Sequence, residues 1–149
     1  MVELERASHC VYKIRYHLVI CVKYRKKMLQ SEGRIECLMH VLREISERFC
    51  LTFETIGTDG DHVHLFVGAA PKYAPSRIMQ IVKSITAREL FREHPDIKAE
   101  LWGGEFWSDG GYVGTVGGEV TEDVIRKYIE QQGTPREKEG YKQMKLTKI

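Results

Sequence analysis

Residues 51–68 constrain the fold of this chain more than any other stretch. Two strand-forming runs, Leu51 to Thr58 and His62 to Gly68, are separated only by Asp59-Gly60-Asp61. Three turn-forming residues between such runs predict an antiparallel hairpin. Alternate side chains of a strand point to opposite faces, so Val63, Leu65 and Val67 share one face and His62 and His64 the other. One face is apolar; the other carries two imidazoles.

The rest of the chain is read around that hairpin. Tyr12, Ile14, Tyr16, Leu18, Ile20 and Val22 alternate and predict a half-buried strand over 12–22. Ile35, Leu38, Leu42, Ile45 and Phe49 recur at three and four residues, an amphipathic helix from about Ser31 to Cys50. Pro75 opens a second helix, with Ile78, Ile81, Val82 and Ile85 inward and His94-Pro95 closing it. A loop rich in Gly and Trp leads to a strand near 111–116. Thr121 then caps a last helix, with Glu122 and Asp123 in its first turn, that ends near Gln132 before Gly133 and Pro135. Residues 136–149 are charged and poorly patterned, a loose tail or an arm packing on a partner. Strand, helix, strand, strand, helix, strand is the order of an α+β, ferredoxin-like (split β-α-β) domain, with an antiparallel sheet, helices on one face and an additional C-terminal helix. In that plan Val63, Leu65 and Val67 pack on the helices, and His62 and His64 sit on an open face.

The 149 residues suit one domain, 1–149, with neither internal repeat nor linker. No run approaches the roughly 18 apolar residues of a membrane span, and the first residues lack a signal-peptide pattern. Cys10, Cys21, Cys37 and Cys50 are too far apart for a metal knuckle, and read as reduced thiols of a cytoplasmic protein. A net charge of +2 is too small to argue for nucleic acid. The compact run Lys23-Tyr24-Arg25-Lys26-Lys27 says more, since cations around an aromatic suit a DNA backbone, although such runs are more often solvated strand ends.

His62 and His64 on a strand, and Tyr128 and Gln132 four apart on a helix, each form a pair on one face. Brought together, they would make a divalent-metal site beside a phenol, the parts needed to cut a phosphodiester and hold its end covalently. Each pair also has a plain reading. Two strand histidines can simply make ordinary hydrogen bonds. Tyr128 lies in the stripe Val124, Ile125, Tyr128, Ile129, where a tyrosine is commonly core with its hydroxyl at the rim. Asp61 either orients His62 or is a turn residue, the turn being the preferred reading. Trp102 and Trp107 suit base stacking or a core equally well.

Asp61-His62-Val63-His64-Leu65-Phe66-Val67, the loop Trp102-Gly103-Gly104-Glu105-Phe106-Trp107-Ser108, and Val120-Thr121-Glu122 through Lys127-Tyr128-Ile129-Glu130-Gln131-Gln132 occur in a telling order, with Ile81-Val82-Lys83-Ser84-Ile85 between the first two. Together these stretches resemble the HUH-type single-tyrosine transposases, the TnpA proteins of the insertion sequence two hundred-like family, over nearly the whole chain. The resemblance implies that Tyr128 is the nucleophile, that His62 and His64 are metal ligands, and that Gln132 is the third ligand; Gln131 is the lesser candidate. It implies Mg²⁺ or Mn²⁺ as cofactor, single-stranded DNA with hairpin ends as substrate, and a 5′-phosphotyrosine that later rejoins to a 3′-OH. It also implies a homodimer with composite trans sites, for which Gly110, Gly111, Gly114, Gly117 and Gly118 give the last helix room to leave its own sheet. Lys23, Arg25, Lys26 and Lys27 are the candidate DNA contacts. The competing functions are an HUH replication or transfer nickase and a catalytically inactive DNA-hairpin-binding protein; a metal-storage or sensor domain is more distant, since it would not need Tyr128.

Overall fold

The computed structural model describes residues 4–101 and 103–116. Strands β1 (Glu5–Ala7) and β2 (Cys10–Tyr12) form a separate small hairpin. The main body runs β3 (Arg15–Cys21), a 3₁₀ turn (Lys23–Arg25), α1 (Glu32–Phe49), β4 (Thr52–Thr58), β5 (His62–Gly68), α2 (Pro75–Glu93), α3 (Asp96–Glu100) and β6 (Tyr112–Thr115). The main sheet has the order β4-β5-β3-β6, with every neighbouring pair antiparallel. Taken with α1 and α2, this is the ferredoxin-like β-α-β-β-α-β plan, with β3 and β5 as inner strands.

Local chemistry explains the boundaries. The Ser31 side chain accepts the Arg34 backbone N–H and starts α1, and Cys50 ends it in the left-handed region. Pro75 stands in the first turn of α2, where its missing N–H costs nothing. Leu38, Val41, Leu42 and Ile45 of α1 and Ile78, Ile81, Val82 and Leu90 of α2 bury against Leu18, Ile20, Val63, Leu65 and Val67. The helices therefore cover the sheet face that the alternation pattern assigns to them. Near the other end of the inner strands, buried Arg15 donates to Glu54 at 2.7 Å and to Glu5 at 3.2 Å. The register of β4 against β5 shifts between Phe53 and Thr55, a bulge at Glu54.

Three expectations are corrected. The strand expected over 12–22 is two, because the chain breaks at Lys13 and Ile14 between β2 and β3. Short α3 follows Pro95, which stops α2 and then sits as N-cap of the next turn. The histidine-bearing face is not open: His62 is 2% exposed and His64 0%. That face also carries Val19 and Cys21, both buried, with Tyr112 packed on them, so it is a second apolar layer. The helix expected over 121–132, with Tyr128, Gln131 and Gln132, lies outside the described residues. So do the tail 136–149, the glycines at 117 and 118, and Trp102.

The turn that delivers His62 depends on Gly60, whose φ is +89°. A Cβ there would come within 2.9 Å of Gln30 Cγ. Gly60→Ala should therefore cost about 1–3 kcal/mol, combining backbone strain with a side-chain clash. Urea unfolding measures it. In a Gln30→Ala background only the clash should be relieved, and the strain should remain.

Candidate active site

The start of β5 is fixed from three directions. The Thr58 hydroxyl donates to the His62 carbonyl at 2.8 Å, the Leu29 N–H to the Gly60 carbonyl at 3.0 Å, and the Val22 N–H to the Asp61 carbonyl at 2.8 Å. Backbone so tied holds the two imidazoles in register. Their ring centroids are 5.1 Å apart with planes at 74°.

Each ring is oriented through Nδ1. His62 Nδ1 lies 2.5 Å from Asp61 Oδ1, and His64 Nδ1 lies 2.9 Å from His17 Nε2. Asp61 is thus a turn residue and also the hydrogen-bond partner of His62, so the preference for a turn alone was too narrow. Its second oxygen meets the Arg25 guanidinium at 3.3 Å. Burial pushes the Asp61 carboxyl up, but the bond to His62 and the charge of Arg25 outweigh it and hold the carboxyl below its ordinary value.

Two of the three rings, His17 and His64, are held neutral by their surroundings. Burial lowers His17 to about 4 and His64 to about 2, the latter helped by repulsion from His17 and His62. Neutral imidazole is the form that binds a metal. With Nδ1 of His62 and His64 engaged, a cation shared by the two rings would be held through Nε2 of each. Asp59, Asp61 and His62 also bring three ligand atoms within 4.8 Å of one another. His62 Nδ1 is hydrogen-bonded to Asp61, so a cation held in that cluster through Nδ1 would have to break the bond. The chemistry fits a divalent cation of borderline to hard character, of the kind that two imidazoles and oxygen ligands accept.

The low values set an acid limit on stability. Unfolded histidine protonates below 6.5, whereas folded His17 and His64 stay neutral to about 4 and about 2. The contribution is complete above 6.5 and falls as pH drops through that value, because the unfolded chain then binds more protons. Between pH 7.5 and pH 5 each buried histidine should remove about 2 kcal/mol of unfolding free energy. Urea titrations at the two pH values check this, and unchanged midpoints would rule out buried neutral imidazoles.

The basic run is largely spent inside the fold. Lys23 pairs with Glu105 at 2.7 Å, Arg25 with Asp61, and Lys26 donates to the Glu100 carbonyl at 2.6 Å. Lys26, Lys27 and Tyr24 are exposed. Trp107 is core, its indole N–H donating to the Thr86 hydroxyl at 2.9 Å. The segment around it extends the sheet, with Val22 bridging Trp107 and the Ser108 N–H bonding the Cys21 carbonyl. His17 is the residue the sequence reading missed. It lies on the face of β3 opposite the apolar alternation, and only the β3–β5 register brings it to His64.

Fold and cluster define a ferredoxin-like domain with paired histidines on an inner strand. Residues 10–132 match the family model described as transposase, IS200-like. The chain belongs to the IS200-like transposases, and membership implies a DNA-cleaving, strand-transferring enzyme. It is 37% identical over 130 residues to the ISDra2 transposase TnpA of Deinococcus radiodurans, covering 87% of this chain and 91% of the relative. It is 29% identical over 125 residues to the transposase for insertion sequence element IS200 of Salmonella typhimurium, covering 84% and 80%. A crystal structure from Deinococcus radiodurans, provisionally described as a transposase, superposes with a TM-score of 0.70 at 34% identity, over 86% of this chain and 97% of that one. The REP-associated tyrosine transposase bound to a REP hairpin gives 0.57 at 12% identity, over 90% and 76%, and shares the fold. No helix among the described residues is long and apolar enough to cross a membrane.

Proposed function

We propose that this chain cuts and rejoins single-stranded DNA at insertion-sequence ends through a 5′-phosphotyrosine on Tyr128, with a divalent cation, Mg²⁺ or Mn²⁺, held by His62, His64 and Gln132. The observation that carries the proposal is the pair of buried imidazoles, 5.1 Å apart and each held at Nδ1, in a chain of this family. When bound, the cation supplies positive charge and Lewis acidity at the scissile phosphate. The chain's own residues do the rest. The Tyr128 phenol attacks phosphorus, forming the tyrosyl–phosphate bond while the bond to the 3′-oxygen breaks; the phenolic proton is lost and the 3′-oxygen leaves as a hydroxyl. One phosphoester replaces another, so rejoining needs no ATP. As ligands, an amide and two imidazoles would bring no negative charge of their own, so the cation's charge would stay available to the phosphate. Lys23, Arg25, Lys26 and Lys27 would track the backbone, Lys23 and Arg25 exchanging their carboxylate partners for phosphates. The hairpin held by the REP-associated relative, which shares this fold, supports hairpin-ended DNA as the substrate here.

End-labelled single strands carrying whatever hairpin-forming sequence flanks the gene provide the test. Cleavage should require Mg²⁺ or Mn²⁺, stop with chelator, and fail on duplex. Gln132→Ala should lower it by roughly 10–100-fold with hairpin binding intact, since a ligand is lost and no DNA contact. Gln131→Ala is the control; if it is the damaging change, the ligand is Gln131. Hairpin binding without cleavage under any metal would instead make the chain a binding protein.

A further inference from the structure

We infer that His17 is a positioning residue that sets the tautomer and orientation of His64, so that His64 offers Nε2 to the cation. The inference rests on the reading above that His62 and His64 hold that cation. His17 belongs to β3, where Val19 is the direct partner of His64, so His17 reaches His64 on the diagonal across the inner strands. The two rings meet edge to edge, with centroids 5.2 Å apart and planes at 18°, and His17 Nε2 lies 2.9 Å from His64 Nδ1. Tyr112 closes on His17 edge-on at 5.7 Å, and His17 is buried, so the ring has little freedom to leave.

Proton bookkeeping gives the contact its meaning. A neutral imidazole has one N–H and one lone pair. If His64 is to coordinate through Nε2, its proton must sit on Nδ1 and be donated to a lone pair. His17 Nε2 is the atom in place to accept it, which puts the His17 proton on Nδ1. On the neighbouring ligand the same task falls to Asp61, which accepts from His62 Nδ1. Each histidine thus has its own acceptor, one anionic and one neutral, and both rings turn the same nitrogen to the cation.

The experiment is Mn²⁺ titration of the purified full chain without DNA, followed by the electron paramagnetic resonance of free Mn²⁺. His17→Phe keeps a ring in the slot and removes the acceptor. His17→Gln keeps an oxygen that can accept from His64 Nδ1. His17→Phe should weaken Mn²⁺ binding by about 10–100-fold, and His17→Gln should remain within about 3-fold of the parent. Long-range ¹H–¹⁵N spectra should show His64 protonated at Nδ1 in the parent and in His17→Gln, and a changed tautomer in His17→Phe. Parent affinity in His17→Phe, or equal loss in both variants, overturns the inference. If His17→Phe does not fold, the parent spectrum decides: a His64 proton on Nε2 overturns it. His64→Ala separates the two readings. If it binds Mn²⁺ as the parent does, the metal site itself is misassigned; if it loses binding while His17→Phe does not, only the role of His17 fails.

Discussion

Tyr128→Phe protein is expected to bind hairpin DNA normally and to form no covalent adduct with it. The substitution removes one oxygen and leaves the ring, so packing and DNA affinity should change little, while the attacking atom is gone. Losing the nucleophile of a covalent mechanism should cost on the order of 10⁴-fold or more in cleavage. Denaturing electrophoresis of labelled strands incubated with Mn²⁺ reads this directly as the presence or absence of a retarded protein–DNA band. The control comes from the fold. Tyr112 on β6 packs edge-on to His17 and is the described tyrosine in ring contact with the histidine cluster. Tyr112→Phe should keep the adduct. A band that survives Tyr128→Phe and disappears in Tyr112→Phe would move the nucleophile to the sheet.

Mixing two dead proteins should restore activity. We propose a homodimer with composite trans sites, in which Tyr128→Phe and His64→Ala homodimers would each lack a complete site. If the tyrosine of one subunit serves the histidines of the other, the mixed dimer has one intact site and one doubly damaged site. Cleavage should rise from background to roughly a quarter of the parent rate in an equimolar, fully exchanged mixture, since half the dimers are mixed and each has one of two sites. If each subunit serves itself, both sites of the mixed dimer are damaged and cleavage stays at background. Silence from heterodimers isolated with two different tags would end the trans proposal.

How much of this was legible in the sequence differs by element, for physical reasons. The hairpin with His62 and His64, the start of α1 at Ser31 and of α2 at Pro75 follow from local rules, since turns, caps and proline act within a few residues. β1, β2 and α3 were missed because elements of three to five residues barely carry a period. The burial of the histidine face was half visible: Val19 and Cys21 lie opposite the alternating apolar set of β3, the mark of a strand covered on both sides. His17 was out of reach. Its meaning depends on strand register, and no spacing along one strand states which residue of another will lie beside it. Tyr128 and Gln132 were reached through the family likeness, because the apolar stripe around Tyr128 equally describes a core helix.

The sheet order has a consequence for when the site exists. β3 and β5, which carry all three imidazoles, are bonded on both flanks, whereas β4 and β6 are each bonded on one flank among the described residues. Thermal fraying peels a sheet from its outside strands, and the central ladder opens only with the whole domain. The histidine cluster should therefore persist through every partial opening of the sheet, losing its shape only when the protein itself unfolds.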